Sequence, residues 1–302
     1  MGRAETFQGA RHRFPRAPAK ALRERAPKAL GASHEGLSYN SGMKLKSVVS
    51  RDNPRYKQLV KLASSAQARK REGLSLLDGV HLVAAYLRHV GVPDTLAVSQ
   101  SGAAHPEIAA ILQGFEGEVL QLPDNLFAAV SQVEHGVGIV AAAATPRPAL
   151  PPRITGDCLL IEHLQDPGNL GSLLRSAAAA GVRQVLLSEQ AVYAWSPKVL
   201  RAGQGAHFGL TIHEGVDLLQ VLPRIEAPVL ATSSHAQATI YDADLTAPVA
   251  WLFGNEGAGV SATMLQAARL RVSIPMVGAT ESLNVAAAGA ICMFEALRQR
   301  RR

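Results

Sequence analysis

Between residues 158 and 274 six short apolar runs recur, at 158–162, 184–187, 210–213, 229–232, 249–253 and 270–274, with helical segments between them. Strands that read as near-continuous apolar runs are buried on both faces. Regular alternation with helices supplies the crossovers that parallel neighbours need. This half of the chain is therefore expected to form a parallel α/β sheet with helices on both sides. From pattern alone an ordinary doubly wound sheet is expected, because threaded chains are rare.

A second unit precedes it. Helical spacing at 53–64, 80–89, 106–112 and 125–133 alternates with strand-like runs at 74–78, 95–98, 118–122 and 137–143. This predicts a small α/β domain over 47–145. The segment 146–153 holds four prolines in eight residues (Pro146, Pro148, Pro151 and Pro152). Proline removes a backbone donor and fixes φ, so neither helix nor central strand can continue there. It is expected to be the linker to a second domain at 154–302.

Residues 1–42 are rich in Arg, Ala, Pro and Gly, carry little apolar periodicity, and are expected to be a disordered basic extension without a secretory apolar region. Three origins stay open for them: a genuine extension, a transit-like targeting segment, or a start-codon artefact with Met43 as the true start.

The chain carries a formal charge of +7, unevenly spread. Residues 1–72 hold 17 Lys and Arg against 5 Asp and Glu, whereas the rest hold 14 against 19. A basic front on a mildly acidic body suits a polyanionic partner; a solubilising tail gives the same count. The apolar stretch 285–297 is short and broken by Glu295, so a buried helix is expected rather than a membrane span. Cys158 and Cys292 lie far apart without metal-ligand spacing, so no metal is expected and a reducing, cytoplasmic setting fits.

Three segments carry chemistry. In the first, the run 158–162 leads into Asp166-Pro167-Gly168-Asn169-Leu170-Gly171, with Arg175 about two turns into the helix. Asn169 at a helix mouth and Arg175 beyond it can meet a phosphate and its neighbour. An ordinary βα turn, with Asn169 as cap, accounts for the same residues. In the second, a strand ends in Gly254-Asn255-Glu256-Gly257-Ala258-Gly259. Such glycines allow close backbone approach, but the spacing matches neither a dinucleotide nor a P-loop fingerprint. In the third, Ile274-Pro275-Met276 is followed by Ser282-Leu283-Asn284-Val285, with Ser282 or Asn284 capping a small-residue helix. Its Ala/Gly face suits close packing within the chain or against a second subunit.

In this order the three segments resemble the SpoU/TrmH family of the SPOUT superfamily, RNA ribose 2′-O-methyltransferases. The likeness covers roughly 156–298: Asn169, Gly171 and Arg175 match the first motif, Gly254 to Gly257 the second, and Ile274 to Met276 with Ser282 to Val285 the third. Ser176 stands where Thr is common, and Gly203-Gln204 replaces a pair usually begun by Ser. Residues 71–79 match, more loosely, the opening strand of the family's ribosomal-protein-like RNA-binding domain, with Asp78 where Glu is usual.

The resemblance implies a parallel-sheet SPOUT domain with a C-terminal trefoil knot, a homodimer, and S-adenosylmethionine as cofactor. The cofactor would lie against Thr232, Ser233, Gly254, Glu256, Gly257, Ile274, Met276, Ser282, Leu283 and Ala287. Asn169, Arg175, Glu256, Ser282 and Asn284 form the implied catalytic group. Arg51, Arg55, Lys57, Lys61, Arg69, Lys70 and Arg71 are the candidate RNA contacts. Ribosomal RNA is the favoured substrate. Alternatives are transfer RNA and a catalytically silent assembly factor of the same fold; a small-molecule metabolic enzyme fits the basic front end less well.

Overall fold

The structure is a computed structural model, and it describes residues 43–133 and 136–301. The expected disordered extension at 1–42 lies outside the described residues.

The first half contains β1 (Met43–Ser47), α1 (Pro54–Ser64), α2 (Ala66–Glu72), β2 (Leu74–Asp78) and α3 (Val80–His89), then β3 (Thr95–Ser99), α4 (Pro106–Gln113), β4 (Gly117–Leu122), α5 (Asp124–Phe127) and β5 (Ile139–Ala144). Its five-stranded sheet runs β1-β4-β3-β5-β2, with β5 antiparallel to both neighbours. Two elements escape the sequence pattern. β1 pairs in parallel with β4, but Lys44 and Lys46 mask its strand character. The helix expected at 125–133 stops at Phe127. The buried Asp78 carboxylate accepts from the Gln132 amide at 2.7 Å and from Ser131 Oγ at 3.1 Å, which takes the donor a longer helix would use.

Residues 146–153 form neither helix nor strand. Arg147 donates to the Lys70 carbonyl at 2.6 Å, and Arg153 Nε donates to Glu226 at the same distance.

The second half holds β6 (Cys158–Ile161), α6 (Pro167–Ala180), β7 (Gln184–Ser188), α7 (Pro197–Gly203), β8 (Thr211–Val216) and α8 (Leu218–Val221). It continues with β9 (Val229–Thr232), β10 (Ala250–Phe253), α9 (Ala262–Ala267), β11 (Leu270–Val272) and α10 (Val285–Arg300). The sheet is parallel throughout, in the order β11-β9-β10-β6-β7-β8. Side chains alternate between its faces as the pleat requires. Leu159, Ile161, Trp251 and Phe253 enter one apolar cluster, and Cys158, Leu160, Ala250 and Leu252 another. The first of these clusters continues into the front half through Leu77 of β2, Val83 of α3 and Val98 of β3, so one core joins the two sheets.

Two glycines set the helix spacing beside the site. A Cβ on Gly171 would stand 2.4 Å from Ala202 Cβ and 2.6 Å from the Val199 carbonyl oxygen, so α6 meets α7 backbone to backbone. A Cβ on Gly289 would strike Leu173 Cδ1 at 2.2 Å, so the small-residue face of α10 packs on α6 within the chain. Arg298 and Arg300 are likewise employed internally. Arg300 pairs with Asp157 and donates to the carbonyls of Leu245 and Ala247; Arg298 pairs with Glu295.

Candidate active site

The three sequence segments meet at the C-terminal ends of β6, β10 and β11. Asp166, not Asn169, is the N-cap of α6, and its side chain accepts from the Asn169 amide at 2.7 Å. This leaves the Asn169 side chain free to reach sideways. Its Nδ2 donates to Glu256 Oε1 at 3.2 Å, and its Oδ1 accepts from Asn284 Nδ2 at 2.7 Å. Asn284 in turn caps α10, accepting from Ala286 and Ala287. One amide therefore ties the Gly-rich turn to the loop before α10. Donor and acceptor ends match both neighbours, which fixes the amide's orientation.

Glu256 is the hub. Its carboxylate also accepts from the backbone amides of Asp166 at 2.9 Å and Gln165 at 3.2 Å. Burial pushes this carboxyl up, but the Asp166, Asn169 and Gln165 donors outweigh it and hold the group below the ordinary glutamate range. Glu256 is anionic at neutral pH.

The turn that presents Glu256 is closed on itself. Asn255 and Gly259 exchange both backbone hydrogen bonds at 2.9 Å. A Cβ on Gly254 would fall 2.1 Å from the Gly259 carbonyl, so only glycine fits there. Asn255 Oδ1 accepts from the amides of Gly257 and Ala258, and its Nδ2 donates to the His163 carbonyl at 3.0 Å. Below it the buried Glu162 accepts from the Ser261 amide at 2.8 Å. These braces from Asp166, Gln165, Asn255 and Glu162 were not singled out as site residues from sequence. The only signal was their adjacency to the three motifs, because backbone donors have no residue signature.

The other expected residues fall around this hub. Thr232 ends β9 and Ser233 follows it, Gly254 follows β10, and Ile274 and Met276 follow β11. Thr232 pairs in register with Val272, so these strand ends lie side by side. Gly257, Ser282, Leu283 and Ala287 are exposed next to them in sequence. Ser282 does not cap α10; Asn284 does. Arg175 is exposed on α6, six residues past Asn169, and neither it nor Ser282 joins the hydrogen-bonded cluster.

The expected RNA contacts divide. Arg51 is exposed, Arg55 pairs with Glu118, Lys57 with Asp52 at 2.8 Å, Lys61 with Glu72 at 2.9 Å, and Arg71 lies 3.9 Å from Glu72. Lys70 sits 5.0 Å from the centre of the Tyr193 ring. Arg69 is a correction. It is buried, with its guanidinium against the last carbonyls of α1, those of Leu62 and Ala63, and so has a structural role.

This constellation defines a class: a parallel α/β protein with a braced carboxylate beyond a strand end and two amides at helix starts, preceded by a smaller sheet that shares its core. A sequence profile of the SpoU rRNA Methylase family matches residues 158–294, and one of an MRM3-like substrate binding domain matches residues 53–141. The chain belongs to the SpoU/TrmH methyltransferase family. It is 30% identical to the 23S rRNA (guanosine(2553)-2′-O)-methyltransferase RlmP of Bacillus subtilis over 83% of this chain and 98% of that one. A crystal structure of an RNA 2′-O ribose methyltransferase superposes with a TM-score of 0.74 at 32% identity, covering 85% of this chain and all of the other. The SpoU methyltransferase AviRb from Streptomyces viridochromogenes, in complex with AdoMet, superposes with a TM-score of 0.75 at 27% identity, over 82% and 98% of the two chains. The family uses S-adenosylmethionine.

Proposed function

We propose that this protein transfers the methyl group of S-adenosylmethionine to a ribose 2′-hydroxyl of ribosomal RNA. The observation that carries the reading is the Asn169 amide, which joins Glu256 and Asn284 across three segments distant in sequence. Nothing in the local helix or turn requires this junction, since Asp166 and Asn284 already cap their helices.

The residues present fit the cofactor. Gly257 and Ala287 offer small exposed surfaces, Val277 and Leu283 expose apolar side chains, and the Glu256 carboxylate is a fixed negative charge suited to a sulfonium. When bound, S-adenosylmethionine supplies a methyl carbon activated by positively charged sulfur. The protein's own part is to hold an attacking oxygen in line with that carbon. In this reading Arg175, exposed on α6, grips the phosphate beside the target ribose. A guanidinium stays protonated below about pH 12, so its role is orientation and charge stabilisation rather than base catalysis. Glu256 holds the 165–166 backbone against the Gly-rich turn, and Asn169 transmits that position to Asn284.

The front domain at 47–145 delivers RNA, through exposed Arg51, Arg55, Lys57 and Lys61, across the 146–153 linker to the catalytic domain at 154–302. The C-terminal trefoil knot belongs to the same reading. In support, β11 lies at the sheet edge beyond β9, yet the following loop returns so that Asn284 reaches the mouth of α6. A homodimer through α10 is supported by its exposed Phe294, 45% accessible. The buried free thiols of Cys158 and Cys292 suit a reducing cytoplasm. No helix among the described residues is long and apolar enough to cross a membrane.

The test is tritium transfer from labelled S-adenosylmethionine to rRNA from cells lacking the gene, with mapping of the modified ribose. Arg175→Ala is expected to lower turnover about 100-fold or more while leaving cofactor affinity within about twofold, because positioning is lost and not donor binding. Equal losses in both would refute the phosphate-gripping role. Cofactor binding without transfer to any RNA would favour a silent assembly factor.

A further inference from the structure

A cleft of about 640 Å³ opens beside the edge strand β8, between it and the linker segment 146–150. This volume lies within the range of sites that hold small ligands. Its wall is apolar where Leu150, Leu187, Val216 and Val221 meet. One end is cationic. Arg147 donates to the Lys70 carbonyl, and the Lys70 ammonium sits over Tyr193, so the front domain's α2 contributes directly to the rim. The carboxylates of Glu189, Glu214 and Asp217 also line the cleft, with Glu214 within electrostatic reach of Lys70 and Arg147. His213 lies in the wall, 4% exposed, with its ring against the Pro148 carbonyl.

The cleft adjoins the candidate active site. A smaller hollow of about 270 Å³ beside Glu256 is lined by His163, Gln165, Gln190 and Asn255. Only the turn at 188–191 separates the two. Ser188 and Ala191 line the cleft, Gln190 lines the hollow, and Ser188 Oγ accepts from the His163 amide at 2.9 Å. The row from Glu256 through Gln165 and Gln190 to Lys70 thus follows the C-terminal ends of neighbouring parallel strands toward the front domain. In open α/β sheets that edge is where ligands lie.

We infer that this cleft is a second RNA subsite, which takes one unstacked nucleotide of the substrate strand flanking the methylated residue. The inference rests on the RNA-methyltransferase reading above. Lys70 and Arg147 meet the phosphate, and the apolar wall receives the face of the base. The carboxylates accept from a base's exocyclic amino group, as carboxylates accept from cytosine N4. Single-stranded, splayed-out bases are the usual targets of RNA-recognising proteins, and a flanking base held this way fixes the register of the acceptor ribose. A free mononucleotide has the same chemistry, so the experiment separates the two sources.

The test uses the full chain with Gln220→Trp, which fills the cleft, and Gln220→Glu, which adds negative charge at its rim. Three quantities are measured: KM and turnover with unmethylated rRNA, the filter-binding Kd of that RNA, and the Kd for S-adenosylmethionine. Expected is a rise of about tenfold in RNA KM and Kd in both variants, with cofactor affinity within about twofold, the signature of lost substrate binding. Unchanged RNA KM and Kd in both variants would overturn the subsite. So would micromolar binding of free GMP that Gln220→Trp abolishes while RNA affinity stays constant, since that marks a mononucleotide effector site. If the wild-type chain binds rRNA but transfers no methyl, the enzymatic reading fails by itself, and the RNA Kd values still decide the cleft.

Discussion

Replacing Asn169 by Asp changes one functional group at the junction of the three motifs. The Asn169 Oδ1 acceptor for Asn284 survives, but the Nδ2 donor to Glu256 becomes a second carboxylate oxygen 3.2 Å from Glu256 Oε1. Two unit charges at that separation repel by about 1.3 kcal/mol in water and about 5 kcal/mol at an effective dielectric of 20. Glu256 is exposed, so the lower figure governs. At about 1.4 kcal/mol per pH unit, the proton shared by the pair should bind at least ~1 pH unit higher than on wild-type Glu256.

The sign of the pH dependence also inverts. In the wild type the carboxyl is held below its ordinary value, so its contribution is present above about pH 4.3 and lost as pH falls through the lowered value. In the variant the repelling pair is relieved as pH falls and one member is protonated. The assay is NMR titration of carboxyl-labelled glutamate, with Glu256→Gln for assignment, beside turnover measured from pH 6 to 8. Turnover should fall about tenfold or more, with Asn169→Ala intermediate. An unshifted Glu256 titration in Asn169→Asp would refute the claim that this amide holds the carboxylate.

Further outcomes follow from packing and burial. Gly171→Ala places a methyl 2.4 Å from Ala202 Cβ and against the Val199 carbonyl, so it should lower stability by about 1–3 kcal/mol despite alanine's higher helix propensity. Thermal melting should show a loss of several degrees, and a larger one than for Gly289→Ala, whose nearest contact is the movable end of Leu173. His207 is buried against Gly203 with Nε2 on the Ala194 carbonyl, and burial pushes its pKa down to about 4. The unfolded chain takes up this proton near pH 6.5, so stability from the neutral ring is full above that value and declines toward pH 4, by up to about 3 kcal/mol. Urea midpoints at pH 7, 5.5 and 4.5 should therefore converge between wild type and His207→Gln; parallel slopes would contradict this.

Much of the scaffold is written in one-dimensional periodicity. Four of the six expected runs of the second sheet became strands within one residue of their expected ends, because a strand buried on both faces must be apolar throughout its length, while β8 runs three residues past the run expected at 210–213. At the sixth, β11 ends at Val272 and the chain continues only as an isolated bridge from Ser273 to Thr239. Less was legible in the front half. β1 is a lysine-bearing edge strand defined by its partner β4, and the helix after Leu122 is cut short by Asp78, 46 residues before Asp124 in the chain. Arg69 looked like its basic neighbours in composition, and only burial distinguishes it.

The site divides in the same way. The resemblance of the three segments to the family's motifs marked Asn169, Glu256 and Asn284, whereas each segment alone read equally well as a turn or a helix cap. Which of them meet was decided in three dimensions. Crossovers in a parallel sheet carry the ends of β6, β10 and β11 to one rim, and the hydrogen bonds formed there have no period and no spacing to read. The caps were decided likewise, with Asp166 releasing Asn169 and Asn284 displacing Ser282. Local periodicity is set by which face of each element avoids water, so it survives in the linear chain. Contacts between loops depend on the placement of whole elements, so they exist only once the chain has folded.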